Sequence, residues 1–186
     1  MAEDKVISME SAAELVKPGD MLALGGVTLY RRPVAFVRAL LLREQPPDNL
    51  TLLCFTAGYE SDLLVGAGLV RRVRSCYFGL EIFGFAPAFT EAVQAGRLSI
   101  IEESEASLAL GIRASLHNVG FLPSVAWQGT GMLKLRPDVK TIIDPYSGDT
   151  LTAFPAIECN VLVIHALIAD RAGNARLNAN WALTGS

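Results

Sequence analysis

Three glutamates within four positions, Glu102, Glu103 and Glu105, form the densest group of potentially catalytic side chains in the sequence. A carboxylate at such a point can attack an acyl carbon or act as a general acid or base. Acidic residues in the first turn of a helix are also favoured by the helix dipole, by about 0.3–1 kcal/mol each, which accounts for Glu105 without catalysis. Glu81 stands in the otherwise apolar run from Phe78 to Phe85, a costly setting for a carboxylate that is neither paired nor functional. Gly25 and Gly26 offer a second kind of chemistry, carried by the backbone. They follow the apolar run Met21-Leu-Ala-Leu24 directly, where they either make a plain strand-to-helix turn or let a ligand oxygen approach their N–H groups. Gly129 and Gly131, in Trp127-Gln-Gly-Thr-Gly131, lack the spacing of a dinucleotide fingerprint and read as a turn. Asn174, after Asp170-Arg-Ala-Gly173, reads equally as a turn residue or a ligand contact. His165 ends an apolar stretch and reads as a core histidine, with no acid or cysteine at metal-ligand spacing, so no metal site is expected.

The elements that must position these residues alternate. A helix is predicted from Met9 to Val16, capped at Ser8 or Ser11, and a strand over Met21 to Leu24. A helix opens at Pro33 and runs until Pro46-Pro47, followed by a strand from Leu50 to Phe55. Ser61-Asp62 caps a short helix through Val65, before a strand from Val73 to Phe78. A helix from Pro87 to Ala95, a strand from Leu98 to Ile101 and a helix from Glu105 to about Asn118 capped by Ser104 come next. Further strands are predicted at Val139 to Ile143 and Val161 to Ile164, the last apolar enough to suggest burial on both faces. Gly129 to Thr152 carries few periodic signals and reads as a long excursion. The fold class is α/β, an open, mainly parallel sheet with helices on both faces, in a single domain over residues 1–186. In such sheets ligands bind beyond the C-terminal strand ends, and that is where Gly25-Gly26, Thr56-Ala-Gly58, Gly79-Leu-Glu81 and the glutamate cluster fall.

Composition narrows the function classes. The chain has 186 residues, 51% hydrophobic and 19% charged, with a net charge of −3. That balance lacks the basic field a nucleic-acid backbone requires, and Arg71-Arg72-Val73-Arg74 reads as a solvated strand entry. The start Met1-Ala-Glu-Asp-Lys5 is not a signal peptide, and no apolar run approaches the roughly 20 residues that span a bilayer, so a cytoplasmic protein is expected. Cys54, Cys76 and Cys159 are odd in number and widely spaced, which argues against a disulfide framework.

From about Met9 to Trp181 the sequence resembles the alpha (A) subunit of family I CoA-transferases of the glutaconate type. The matching pieces are Pro18-Gly-Asp-Met-Leu-Ala-Leu-Gly-Gly26, Arg32-Pro-Val-Ala-Phe-Val-Arg38 and Gly79-Leu-Glu-Ile-Phe-Gly-Phe-Ala-Pro87. Glu102-Glu-Ser104, Gly120-Phe-Leu-Pro123 and Ala169-Asp-Arg-Ala-Gly-Asn-Ala175 complete the set. The resemblance implies a subunit that pairs with a homologous beta (B) subunit, and substrates that are an acyl-CoA thioester and a carboxylic acid, with no permanently bound cofactor. It implies transfer through a glutamate nucleophile on the B subunit, within a Glu-Asn-Gly-like motif absent here, so that this chain is inactive alone. The substrate-binding set expected is Gly25, Gly26, Arg32, Glu81, Gly129, Gly131 and Asn174. A related branch opens rings in steroid catabolism with an A-subunit glutamate that corresponds to Glu105. In that alternative Glu105, or else Glu102, is catalytic. A third alternative is a non-catalytic regulatory or sugar-phosphate-binding protein of related fold. Family A subunits usually continue past Gly-Asn-Ala with a further strand and helix, which a chain ending at Ser186 is expected to lack.

Overall fold

Local signals set the order of elements in the computed structural model, which describes residues 4–177. Ser8 caps α1 (Met9–Ala13), accepting the Ser11 N–H at 3.1 Å. The helix ends three residues short of Val16 because Leu15 and Val16 tighten to bonds three residues back. Gly19, at φ +83°, turns the chain into β1 (Met21–Leu24). Then follow α2 (Val34–Leu41), β2 (Leu50–Ala57), α3 (Tyr59–Gly66) and β3 (Val70–Phe78). After a single 3-10 turn at Glu81–Phe83 come α4 (Pro87–Gln94), β4 (Ser99–Glu102) and α5 (Glu105–Leu116). The remainder is β5 (Phe121–Ser124), α6 (Met132–Leu135), β6 (Lys140–Ile143), β7 (Thr150–Pro155), β8 (Val161–Val163), β9 (Ile168–Ala169) and β10 (Ala175–Arg176).

Five strands form one parallel sheet in the order β4-β3-β2-β1-β8. Its register explains the layers. Val161, Leu22, Leu52, Val73 and Ile100 lie side by side across the sheet and face Phe36, Val37 and Leu40 of α2, Leu64 and Val65 of α3, and Ala92 of α4. One residue further on, Ala23 and Leu53 point to the opposite face and pack against Leu108 of α5 and Ile157. Helices therefore cover both faces, four on one and α5 on the other. Beyond α5 lies a three-stranded antiparallel sheet, β5-β7-β6, whose Phe154 joins Trp127 and Val139 in a core shared with Leu110 of α5.

Two expectations about strands need correction. The Val139 to Ile143 strand belongs to this second sheet. Asp144 and Asp149 close a tight loop (Asp144 N–H to Asp149 O, 2.8 Å), with Gly148 at φ +78°, and so return β7 antiparallel to β6. The Val161 to Ile164 strand is not buried on both faces: β8 is the sheet's edge, and Leu162 is 63% exposed because α5 sits over Ala23 and Leu53 and does not reach it. Positions 178–186, which include Trp181 of the family-like stretch, lie outside the described residues.

Candidate active site at the strand ends

Since all five strands run the same way, the C-terminal ends of β1, β2, β3, β4 and β8 share one edge. Its first two loops are bolted together from beneath. Gly26 sits at φ +114°, and a Cβ there would lie 2.8 Å from both Tyr30 O and Arg32 Cδ, so only glycine fits. Thr28 and Arg31 are also left-handed, at φ 48° and 53°, around the turn in which Val27 and Tyr30 exchange backbone bonds of 3.1 and 2.8 Å. Thr28 N–H donates to Thr56 Oγ1 at 2.8 Å, and Arg32 Nη1 donates to Thr56 O at 2.8 Å. Arg32 Nη2 also pairs with Glu60 Oε1, which accepts the Ser61 hydroxyl at 2.7 Å as well. Arg32 and Glu60 are 2% and 0% exposed at the side chain. Burial alone would depress the Arg32 pKa, but the hydrogen bond and charge of Glu60 outweigh it and raise that pKa. Arg32, expected to bind substrate, is instead consumed under the loop. Gly25 is similarly committed: its N–H donates to Val163 O at 2.9 Å, whereas the Gly26 N–H has no acceptor among the described residues.

The β3 loop carries Glu81 on the surface at φ 54°, so the run from Phe78 to Phe85 is not the buried apolar setting its composition suggests. The β4 end holds the glutamates in two states. Glu102 and Glu105 are exposed, and Glu103 is buried. Glu103 Oε1 takes Arg74 Nε at 2.6 Å and Arg136 Nη1 at 2.7 Å, while Arg136 also donates to Glu102 O at 2.8 Å and to both oxygens of Asp138. The Arg136 hydrogen bonds hold Asp138 below the usual carboxylate range. Ser104 caps α5 as expected, reciprocally with Ser107 (Ser107 N–H to Ser104 Oγ, 3.2 Å; Ser104 N–H to Ser107 Oγ, 2.8 Å). Trp127 Nε1 donates to the same Ser104 Oγ at 2.8 Å. The Trp127-to-Gly131 segment is thereby tied to the helix start that bears Glu105, with Gly129 (φ +72°) and Gly131 open to solvent. Trp127 is itself left-handed, at φ 73°, and stands edge-on to Phe154. Of the six non-glycine residues with positive φ among those described, four (Thr28, Arg31, Glu81 and Trp127) lie on these loops, a concentration typical of functional surfaces.

Two residues are not placed as expected. Asn174 bonds Asp170 twice, through its N–H (2.9 Å) and its Nδ2 (2.8 Å), so it braces the exposed β9–β10 turn, and the Nδ2 bond leads in lowering the Asp170 pKa. His165 is an exposed residue after the edge strand rather than a core histidine, its Nδ1 3.4 Å from Arg32 O. Sequence reasoning missed Glu60, Trp127 and Arg136. Their partners lie 28, 23 and 33 positions away, beyond any local pattern. Among the described residues, no His, Cys, Asp and Glu side chains group to hold a metal ion. No helix there is long and apolar enough to cross a membrane.

The fold is an open α/β sheet, and its C-terminal strand ends, where ligands bind in proteins of this class, carry glycine loops and exposed carboxylates. Residues 6–185 match the coenzyme A transferase family model, and the chain belongs to that family. It is 33% identical over 179 residues to the A subunit of the 3-oxoadipate CoA-transferase of Pseudomonas knackmussii, covering 95% of this chain and 61% of the relative. It is 31% identical over 182 residues to the cholesterol ring-cleaving hydrolase IpdA subunit of Rhodococcus jostii, covering 92% of this chain and 60% of the relative. The crystal structure of glutaconate coenzyme A-transferase from Acidaminococcus fermentans superposes with a TM-score of 0.82 at 29% identity, over 93% of this chain and 60% of that one. The chain thus spans about three fifths of the length of these relatives.

Proposed function

We propose that this chain is the A-type subunit of an enzyme that moves CoA from an acyl-CoA thioester to a carboxylic acid, working with a homologous B subunit that supplies the covalent glutamate. The observation that carries this reading is the division of carboxylates near the strand ends. Glu60 and Glu103 are buried and held by arginines, leaving this chain's edge with exposed carboxylates and backbone donors. In the proposed reaction the partner's carboxylate attacks the thioester carbonyl and the CoA thiolate leaves, giving an acyl-glutamyl anhydride. The thiolate then attacks the glutamyl carbonyl, releasing the first acid and leaving an enzyme-CoA thioester, and the acceptor carboxylate takes CoA by the same two steps in reverse. Negative charge develops on the carbonyl oxygen at each attack, and the Gly26 N–H, on a loop clamped by Arg32, is suited to receive it. Glu81, Gly129 and Gly131 flank the same edge and are proposed to contact substrate.

A second reading is a subunit of a CoA-thioester ring-opening hydrolase with Glu105 as acid or base. It is favoured by the exposed position of Glu105 at the Trp127-braced start of α5 and by the likeness to a subunit named for ring cleavage. Treating the assembled complex with acyl-CoA and then borohydride separates the two. Reductive labelling of a B-subunit glutamate together with CoA exchange supports transfer. Ring-opened product without label, lost in Glu105→Gln, supports the hydrolase. CoA transfer by the pure chain alone overturns the assignment of the nucleophile to a partner.

A further inference from the structure

The 79–86 loop is held in place yet points its apolar side chains outward. Gly79 N–H is fixed to Ala57 O at 3.1 Å, and within the loop Leu80 N–H reaches Gly84 O at 2.9 Å and Gly84 N–H reaches Glu81 O at 2.9 Å. Its far end is anchored by buried Ala86 and by Asp62, whose two oxygens accept the Ala88 and Phe89 N–H groups at 3.3 and 2.7 Å. Left-handed Glu81 and Gly84 (φ 54° and 90°) shape the bend. On this frame Ile82, Phe83 and Phe85 are 91%, 73% and 86% exposed. Leu42, Leu116 and Tyr146 stand singly on separate elements, as surface hydrophobics usually do, while a second exposed group, Leu162, Ile164, Leu167 and Ile168, follows the edge strand β8 into β9. Three together on an ordered protrusion mark a contact surface.

We propose that this loop is the anchor by which the chain seats on a non-identical partner subunit, inserting Ile82, Phe83 and Phe85 into an apolar recess there; the inference rests on the two-subunit reading above. The three side chains offer roughly 450 Å² of apolar surface, and Tyr30 on the loop after β1 and Tyr59 at the start of α3 add roughly 200 Å². Together they supply most of the roughly 800 Å² that a standard interface takes from each partner. The form also fits a protein better than a small acyl group. The loop stands proud without walls of its own, so a bound acyl chain would stay wet on its outer side, whereas a recess covers all three residues. A subunit of different sequence is the occupant chosen because the relatives that match along this chain are named as subunits of larger enzymes.

The test uses the full chain and a B-type CoA-transferase subunit from the same genome, purified separately and mixed. The triple variant Ile82→Ser, Phe83→Ser, Phe85→Ser is compared with a control, Leu42→Ser, Leu116→Ser, Tyr146→Ser, by titration calorimetry. The loop variant is expected to bind at least 100-fold more weakly with an unchanged thermal midpoint, while the control binds like the parent. A photo-crosslinking phenylalanine at position 83 is expected to attach to the B subunit, which keeps the test valid if the triple variant folds poorly. Loop variants that bind like the parent, or a crosslink only to a second copy of this chain, overturn the anchor while leaving the two-subunit reading standing. A parent chain that binds no B subunit overturns both.

Discussion

Replacing Glu60 by alanine should destabilise the chain far more than replacing Glu60 and Arg32 together by methionine. The carboxylate is fully buried and the guanidinium 2% exposed, so Glu60→Ala strands a cation away from water, at about 3–5 kcal/mol. For a chain of this size that lowers the melting temperature by about 6–20 °C. The double variant removes both charges at similar volume. It also removes two buried atoms that have no partner among the described residues, Arg32 Nε and Glu60 Oε2. Against this, Thr56 O loses a donor and the Ser61 hydroxyl an acceptor, each about 0.5–1.5 kcal/mol. The double variant should therefore lie within about 2 kcal/mol of the parent, and the double-mutant cycle closed by Glu60→Met and Arg32→Met should return a coupling of about 3 kcal/mol or more. Urea titration and thermal melts followed by circular dichroism measure the four proteins of the cycle and Glu60→Ala. If Glu60→Ala loses less than about 1 kcal/mol, or the double variant loses the sum of the singles, the pair is not a dry ion pair and the reasoning fails.

Gly26→Ala, whose Cβ would meet two backbone oxygens within 2.9 Å at positive φ, should cost about 2–4 kcal/mol. Gly84→Ala, at φ +90° with open space around it, should cost only about 1 kcal/mol by the same melts. Ser104→Ala should lose about 1 kcal/mol, and its loss and that of Trp127→Phe should be less than additive in the double variant, because both remove the same Ser104–Trp127 bond. Asp138 has a lowered pKa, so its bond to Arg136 stabilises fully above the ordinary carboxylate pKa and is lost as pH falls through the lowered value. Its side chain is 59% exposed, so Asp138→Asn should cost under about 1 kcal/mol at pH 7, and the gap to the parent should close in melts at acidic pH. With a thiol reagent, exposed Cys159 should react first and half-buried Cys76 more slowly; burial pushes the Cys54 thiol up, and it should react only on unfolding.

Most of the main sheet was legible because its signals are local. Pro18-Gly19 before β1, Pro87 at the start of α4 and Ser104 before α5 act within a turn of where they stand. The second sheet was hidden because Gly129 to Thr152 carries few periodic signals and because Pro123 lies inside β5. An edge strand, which β5 is in the order β5-β7-β6, tolerates a proline that a central one would not. Asp62 misled for a related reason. It was expected to cap its own helix, but α3 already begins at Tyr59, and its carboxylate caps α4 some 26 positions later. Among the glutamates, the residue type announced chemistry but not which member was free. Only the three-dimensional position of Arg74 and Arg136 separates buried Glu103 from its exposed neighbours.

The clamp beneath the first two loops also bears on how this surface can diverge. Thr28 and Arg32 on one loop bind Thr56 on the next, and Arg32 holds Glu60 of the following helix, so a substitution in either loop disturbs the other. The loop after β3 is tied to its neighbours through backbone N–H groups, to Ala57 O and the Asp62 carboxylate, so its outward side chains carry no such debt, whereas the Trp127 segment bonds Ser104 and Thr152 through side chains. Inherited change should accumulate in correlated steps across the first pair and singly in the loop after β3. That freer loop is where relatives named for different activities have room to acquire different chemistries on one unchanged sheet.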